Sequence, residues 1–321
     1  MIGVLIPSLN PDDRLITLVK ELKNNKIDNI FIVNDGSSLE YDKYFKKCED
    51  LGCIVFKNKV NMGKGYSLKK GINNINKDYP NIKGIVTADS DGQHLVRDII
   101  RVKEVLMKED ILVLGVRCFN NKSIPIRSKI GNRFSSLYLK LIKGISLEDT
   151  QTGLRGIPRK DFDYALNIKG DRFDYEMNFL LNLQEEYTTI LIDTIYKKDH
   201  TSHFKTIIDS LRIYKSLGIS FLIELSSYLI FFLLLRNNIS FIISVIIFGI
   251  YNYTLYKYIL SLDKRSSLVY LFFLGINLLI NYFLLKVNLF FKVIFILIIF
   301  IIKFILIQRL LLNKKKLLYR S

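Results

Sequence analysis

The chain contains no tryptophan, only three histidines, three cysteines and five prolines in 321 residues, and alanine is nearly absent. So few histidines limit the options for zinc; His200 and His203 have no third ligand in view, and Cys48, Cys53 and Cys118 show no metal-ligand spacing. An odd cysteine count also argues against a disulfide framework, so free thiols in a reducing compartment are expected. Scarce proline leaves no proline-rich linker, and no internal repeat or low-complexity tract is visible. No signal peptide is expected, because residues 1–6 are too short an apolar run, lack a basic leader and are ended by Pro7. Acidic residues are in deficit: 30 Asp and Glu against 47 Lys and Arg give a net charge of +17.

Apolar sequence, by contrast, is abundant near the carboxyl end. Residues 217–235, 239–256, 268–285 and 289–312 are long apolar runs, each close to or beyond the ~18–20 residues that cross a bilayer as helix. Four in succession predict an all-α domain with four transmembrane helices. The charge excess follows them: residues 206–321 carry 14 Lys and Arg against 3 Asp and Glu, or +11, which leaves +6 for the first 205 residues. Basic residues flank the first run (Lys205, Arg212, Lys215), separate the second from the third (Lys257, Lys264, Arg265) and follow the fourth (Lys314, Lys315, Lys316, Arg320). The opposite connections hold only Arg236, Lys286 and Lys292. Positive-inside logic therefore predicts a multi-pass protein of the cell membrane, with both termini and the first 205 residues cytoplasmic. The basic excess suits anionic lipid headgroups, and nucleic acid is not expected as a partner. Between the two parts, residues 203–216 interleave Phe204, Ile207, Ile208, Leu211 and Tyr214 with basic residues, the pattern of an interfacial amphipathic helix. Within the runs, Glu224, Asn277, Asn281 and Lys303 are costly in hydrocarbon, and Glu224 and Lys303 are expected to face the bundle interior.

In the first 205 residues, strand-like runs at 3–6, 29–33, 53–56, 82–88 and 111–115 alternate with helical patterns at 12–25, 40–50, 64–74 and 95–108. This rhythm predicts an α/β fold with a mostly parallel, doubly wound sheet. Ligands of such sheets sit beyond the carboxyl ends of the strands. The informative polar motifs all fall there: Pro7-Ser8-Leu9-Asn10, Asn34-Asp35-Gly36-Ser37-Ser38, Asn61-Met62-Gly63-Lys64-Gly65, Asp89-Ser90-Asp91 and Gly115-Val116-Arg117.

The fourth of these is the most telling. In extended chain, positions i and i+2 point the same way, so Asp89 and Asp91 can face one site. Two hard oxygen ligands at a strand end suit Mg²⁺ or Mn²⁺ held together with substrate phosphates, the alternative being an Asp-Ser-Asp-Gly turn with solvated side chains. Asp35 can accept hydrogen bonds from a nucleobase or cap the helix that follows. The Gly63-Lys64-Gly65 segment opens a helix whose amides, with Lys64, can hold a diphosphate, although G-x-x-x-x-G-K-[ST] is not met.

Together with Asp149-Thr150-Gln151-Thr152-Gly153-Leu154-Arg155 and Ala88-Asp89-Ser90-Asp91-Gly92-Gln93-His94, these motifs occur in the order found in family 2 glycosyltransferases. The chain resembles that family's polyprenyl-phosphate sugar synthase branch over residues 1 to about 205, and the hydrophobic tail is similar to GtrA-like domains in layout. The resemblance implies a GT-A domain at 1–202, an interfacial helix at 203–216 and a GtrA-like domain with four transmembrane helices at 217–321. It implies inverting transfer of a hexose from a nucleotide-diphosphate sugar, UDP-glucose or similar, to a polyprenyl phosphate such as undecaprenyl phosphate, for wall or surface polysaccharide glycosylation. Asp89, Asp91 and Gln93 would hold Mg²⁺ or Mn²⁺. Pro7, Ser8, Asn10, Asp35, Gly63, Lys64, Asp89 and Asp149 would bind the nucleotide sugar. Arg117, Arg127, Ser128 and Arg133 would hold the acceptor phosphate, with Asp91, Arg117 and Arg127 as the catalytic set. Two departures stand out: Leu9 and Asn10-Pro11-Asp12 replace an aromatic residue and an acid, and Asn34 stands where a second Asp is frequent.

Asp149 can bind a sugar hydroxyl or orient Arg155, a structural ion pair being the equal alternative, and Glu176 is expected on a helix facing the site, the alternative being a solvated face. An elongating polysaccharide synthase of the same superfamily would usually carry Gln-x-x-Arg-Trp, which a chain without tryptophan lacks. Translocation of a lipid-linked sugar by the tail, with the head as its coupled partner, is the other reading. Assembly with further copies of the chain is left open.

Overall fold

The computed structural model describes residues 1–117, 126–183 and 186–193, and beyond them helical stretches between 215 and 310, the longest unbroken ones at 241–259 and 298–310. The chain divides into two compact units: Met1–Lys140 with Ile145–Ile213, and Leu141–Gly144 with Tyr214–Ser321.

The first unit is built on β1 (Ile2–Ser8), β2 (Ile30–Asn34), β3 (Ile54–Lys57), β4 (Gly84–Thr87), β5 (Leu112–Arg117), β6 (Arg155–Pro158) and β7 (Tyr187–Ile192). Their order is β3-β2-β1-β4-β6-β5-β7. The first four strands in that order run parallel, β6 runs antiparallel to both of its neighbours, and β5 pairs parallel with β7. Every residue of β1, β2 and β4 is buried, which is why these strands are unbroken apolar runs rather than alternating ones. The expected mostly parallel α/β sheet is thus present, and its five anticipated strands begin and end within two residues of the sequence reading.

Helices α1 (Asp13–Asn24), α2 (Asp42–Asp50), α3 (Lys64–Asp78) and α4 (Val96–Glu109) follow the first four strands. In α1, Asp12 caps the first turn by accepting the Arg14 amide, and Leu15, Ile16, Leu18, Val19 and Leu22 form the buried stripe. Three further helices follow, α5 (Ile126–Lys143), α6 (Phe162–Asn167) and α7 (Asp174–Leu181), the last being the helix expected around Glu176. Cys48 and Cys53 are free and buried; burial pushes their thiols up to about 12 and about 11. Cys118 lies outside the described residues.

The second unit contains α8 (Phe241–Ile259) and a small core in which Tyr270 is fully buried against Ile223 and Ile307. A polar chain runs through it. Asn252 Nδ2 donates to Ser227 Oγ at 2.8 Å, the Tyr270 hydroxyl bonds to Asn252 Oδ1, and buried Lys303 holds its Nζ 4.9 Å from the Tyr270 ring centroid. Lys303 therefore faces the interior of this unit, while Glu224, Asn277 and Asn281 lie outside the described residues. So do residues 203–214 and parts of all four apolar runs. Among the described residues, no helix is long and apolar enough to cross a membrane.

The rim loops depend on close backbone approach at one glycine in particular. Gly36 and Gly52 both hold positive φ, at 74° and 79°. A Cβ on Gly36 would lie 2.2 Å from the Val60 carbonyl carbon, whereas one on Gly52 meets nothing nearer than Lys23 Nζ at 3.5 Å. Backbone strain costs alanine on the order of 1–2 kcal/mol at either site, and the clash at Gly36 adds about 1–3 kcal/mol more. Denaturation followed by circular dichroism is expected to show Gly36→Ala as the more damaging change by that second amount. Equal losses would contradict the contact between the Gly36 turn and the Val60 backbone.

Candidate active site

The carboxyl ends of β1 to β4 gather the polar motifs on one rim. At the end of β1, Ser8 is buried, and Asn10 adopts a left-handed φ of 48°, which asparagine tolerates, while its amide donates to Ser37 Oγ at 2.8 Å. Beside it at the end of β2, Asn34 Oδ1 accepts the Ser37 amide at 2.9 Å and closes the Gly36 turn. Asp12, the acid displaced from its usual place in this motif, is used as the cap of α1 and pairs with Arg14.

Asp35 turns out to be an organiser of the loop opposite. Its Oδ1 accepts from Met62 N at 3.0 Å and Asn58 Nδ2 at 2.8 Å, and its Oδ2 accepts from Gly63 N at 2.8 Å. One carboxylate thereby fixes the Met62-Gly63 turn that starts α3, rather than capping the segment that follows β2. Gly63 sits at φ 103° with the Asp171 carbonyl oxygen 2.4 Å from where a Cβ would stand, so no side chain fits there. Asn58 was not singled out from the sequence; an asparagine immediately after a strand and just before the glycine motif was its only signal. Ser8 Oγ, Asn34 Nδ2 and Asn58 Oδ1 are buried without a hydrogen-bond partner among the described residues. Such atoms are costly unless something polar meets them.

Beyond β4 lies an ionic cluster. Lys64, the first residue of α3, places Nζ 2.7 Å from Asp89 Oδ1 and 2.7 Å from Glu176 Oε1 on α7. His94 Nε2 lies 3.3 Å from Asp89 Oδ2. Burial by itself raises the Asp89 carboxyl, but the Lys64 ammonium and then His94 outweigh it and hold the acid well below the usual carboxylate range. Burial likewise lowers Lys64, yet Asp89 and Glu176 together hold it above the ordinary lysine value. Gly153 explains its own presence here: a Cβ would stand 2.8 Å from Lys64 Nζ and 2.9 Å from both Asp89 oxygens. Asp91 accepts the Gln93 amide at 3.0 Å, and Gly92 between them holds φ 72°. The Asp-Ser-Asp-Gly sequence is therefore a tight turn, carrying Asp89, Asp91 and Gln93 just beyond β4.

These three residues offer two carboxylates and an amide carbonyl, a hard oxygen set of the kind that holds Mg²⁺ or Mn²⁺ together with phosphate oxygens rather than as a closed protein cage. Among the described residues no group of three or more His, Cys, Asp and Glu could hold a metal ion. The donor chemistry fits the expected divalent ion.

On the far side of β4, the Arg117 side chain at the end of β5 is clamped to Asp149. Nε donates to Asp149 Oδ2 at 2.6 Å and Nη2 to Oδ1 at 3.0 Å, while the Arg117 amide and the Gln151 amide also bind that carboxylate. Asp149 thus orients Arg117, not Arg155 as one reading of the sequence had it. Arg155 is buried; its Nη2 donates to the Glu176 carbonyl at 3.2 Å and its guanidinium carbon stands 4.9 Å over the Phe179 ring. Arg127, Ser128 and Arg133 fall on α5. Arg133 is exposed, whereas the side chains of Arg127 and Ser128 lie outside those described. Glu176, expected only to face the site, is a direct partner of the central lysine.

The sequence profile of Glycosyl transferase family 2 matches residues 3–165. An uncharacterised protein of Methanocaldococcus jannaschii is 29% identical over 220 residues, covering 66% of this chain and 88% of that protein. The UDP-N-acetylglucosamine–dolichyl-phosphate N-acetylglucosaminyltransferase of Methanococcus voltae is 29% identical over 177 residues, covering 50% of this chain and 70% of that enzyme. Among solved structures, mannosyl-3-phosphoglycerate synthase from Rubrobacter xylanophilus is similar at a TM-score of 0.44 and 12% identity, over 66% of this chain and 70% of that one. With the profile spanning just over half of its residues and every motif of the rim inside or beside that span, the chain belongs to glycosyl transferase family 2.

Proposed function

We propose that this glycosyltransferase moves a hexose from a nucleotide-diphosphate sugar, UDP-glucose or a similar donor, to a polyprenyl phosphate such as undecaprenyl phosphate at the cytoplasmic face of a membrane. The observation that carries the reading is the pairing of Asp89 with Lys64 on the same rim as buried, unpartnered polar atoms at the ends of β1, β2 and β3. That rim offers hydrogen bonds to a nucleoside on one side and charge for a diphosphate on the other. The Methanococcus voltae relative, by its name, uses a UDP-sugar and a dolichyl phosphate, which supports the same donor and acceptor classes here.

The acceptor's own chemistry limits what the protein must supply. A phosphate monoester with a second pKa of ~6 is largely dianionic at neutral pH, so it is already a nucleophile and needs no strong general base. Its oxygen attacks the anomeric carbon as the bond from that carbon to the diphosphate breaks, a single displacement that inverts configuration. The protein's task is to hold two anions together and to offset charge on the departing nucleoside diphosphate. A divalent ion at Asp89, Asp91 and Gln93 would supply Lewis-acid stabilisation of that leaving group. Arg117, its guanidinium plane fixed by Asp149, is suited to bidentate phosphate contact, with Arg127, Ser128 and Arg133 on α5 as its companions.

Helix α5 supports a membrane-surface reading. Ile126, Ile130, Phe134 and Leu137 are exposed along it, and Lys129, Arg133 and Lys140 are interleaved with them. That is the composition of a helix lying against anionic lipid. The apolar runs of residues 217–312 and their basic flanks belong to the same reading, with a GtrA-like bundle anchoring the enzyme.

Purified full-length protein incubated with labelled nucleotide sugars, undecaprenyl phosphate and Mg²⁺ or Mn²⁺ is expected to yield lipid-extractable label. Asp91→Ala should reduce that label by about 100-fold or more, the range for losing one electrostatic stabiliser, while the protein still folds, as circular dichroism would show. No label from any common donor would overturn the acceptor assignment. A second test uses the absence of native tryptophan. In nanodiscs of the full chain, Phe134→Trp is expected to emit at short wavelength and to be quenched by shallow spin-labelled lipid. Met107→Trp, at the exposed end of α4, should show neither effect, and matching spectra would remove α5 from the bilayer surface.

A further inference from the structure

The acid most exposed to a metal's demands is already satisfied by a cation of the protein itself. Asp89 Oδ1 is taken by Lys64 at 2.7 Å, and Oδ2 by His94 at 3.3 Å. Lys64 in turn is shared with Glu176 at 2.7 Å, a residue that comes from α7, more than a hundred positions later in the chain. The contact is built rather than incidental. Gly153 makes room for it, and the side chains of Lys64 and Glu176 are only 17% and 10% exposed.

A site that gathers an acid for a divalent ion and then fills it with lysine has two charge states to reconcile. A metal bound through Asp89 Oδ1 would take the place of the ammonium on that oxygen, since two cations at contact distance on one oxygen repel strongly. The displaced ammonium sits at the amino end of α3, the place where helix-start amides favour a phosphate. Glu176, with Oε1 2.7 Å from the same Nζ, competes with Asp89 for the ammonium.

Resting on the reading of this rim as a nucleotide-sugar site, we propose that Lys64 is a resident counter-cation of Asp89 that yields the carboxylate to a divalent ion and passes to the donor diphosphate, with Glu176 as the positioning residue that draws it off Asp89 and is itself displaced by the diphosphate. The lysine thereby couples metal entry to diphosphate binding: whichever ligand arrives makes room for the other.

Two variants of the full-length protein separate this from a merely structural ion pair, and neither readout requires turnover. Free Mn²⁺ is measured by electron paramagnetic resonance, and UDP binding in EDTA by calorimetry. Lys64→Met is expected to bind Mn²⁺ about tenfold tighter, because a competing charge has left Asp89, and to lose metal-free UDP affinity by a similar factor. Glu176→Gln, which preserves shape, should do the reverse: weaker Mn²⁺ binding and tighter metal-free UDP binding. Native protein should show UDP and Mn²⁺ each strengthening the other. Should Lys64→Met fail to fold, the opposed shifts in Glu176→Gln carry the test. Loss of both affinities together in either variant, or Mn²⁺ binding indifferent to both changes, overturns the proposal. Absence of lipid product in the transfer assay would instead strike at the acceptor, leaving these binding shifts as they are.

Discussion

The ammonium of Lys64, gripped between Asp89 and Glu176, is the contact on which the rest of the candidate site depends. It joins the start of α3, the end of β4 and the body of α7, segments that meet only because the sheet order brings them side by side. Partly buried charges of this kind are tolerated when each has a partner at hydrogen-bonding distance, and removing one partner is costly because the other is then stranded. The surroundings accommodate this need. Gly63 starts the helix at a φ few residues adopt, and Gly153 leaves space that any side chain would fill with carbon against charge.

Around that contact, carboxylates divide into two kinds of work. Asp35 and Asp149 are consumed by the protein: the first ties the Met62-Gly63 turn through three hydrogen bonds, and the second locks the Arg117 guanidinium and the Gln151 amide. Asp12 caps a helix. Asp89 and Asp91 sit on the turn after β4, the first paired with Lys64 and the second accepting the Gln93 amide. The loops of the rim are thus held by internal hydrogen bonds, while Asp89 meets a cation of the protein itself.

Much of the α/β unit was legible because β1, β2 and β4 are buried on both faces and so announce themselves as apolar runs. The strand β6 was not, since Arg155-Gly156-Ile157-Pro158 has the composition of a loop and is a strand only because two neighbours pair with it. The same limit applied to partners. Spacing suggests a shared side for Asp89 and Asp91 in extended chain, which the turn at 89–92 is not, and it gives no sign that Lys64 and Glu176 converge on Asp89 from positions far apart in sequence. Nor did it show that Asp149 would choose Arg117 over Arg155, six residues away. Local pattern reveals which residues stand at a strand end; which charges then meet is decided by tertiary packing.

The central claim is that the β4 acids and the ends of β1 to β3 form one nucleotide-diphosphate site. The most direct test is a crystal structure of the full-length protein with UDP and Mn²⁺, read by manganese anomalous scattering. The expected result is uridine against Ser8, Asn34 and Asn58, with a manganese peak in coordination contact with Asp89 or Asp91 and with the diphosphate. Nucleotide bound elsewhere, or bound at this rim with manganese remote from both acids, would contradict it.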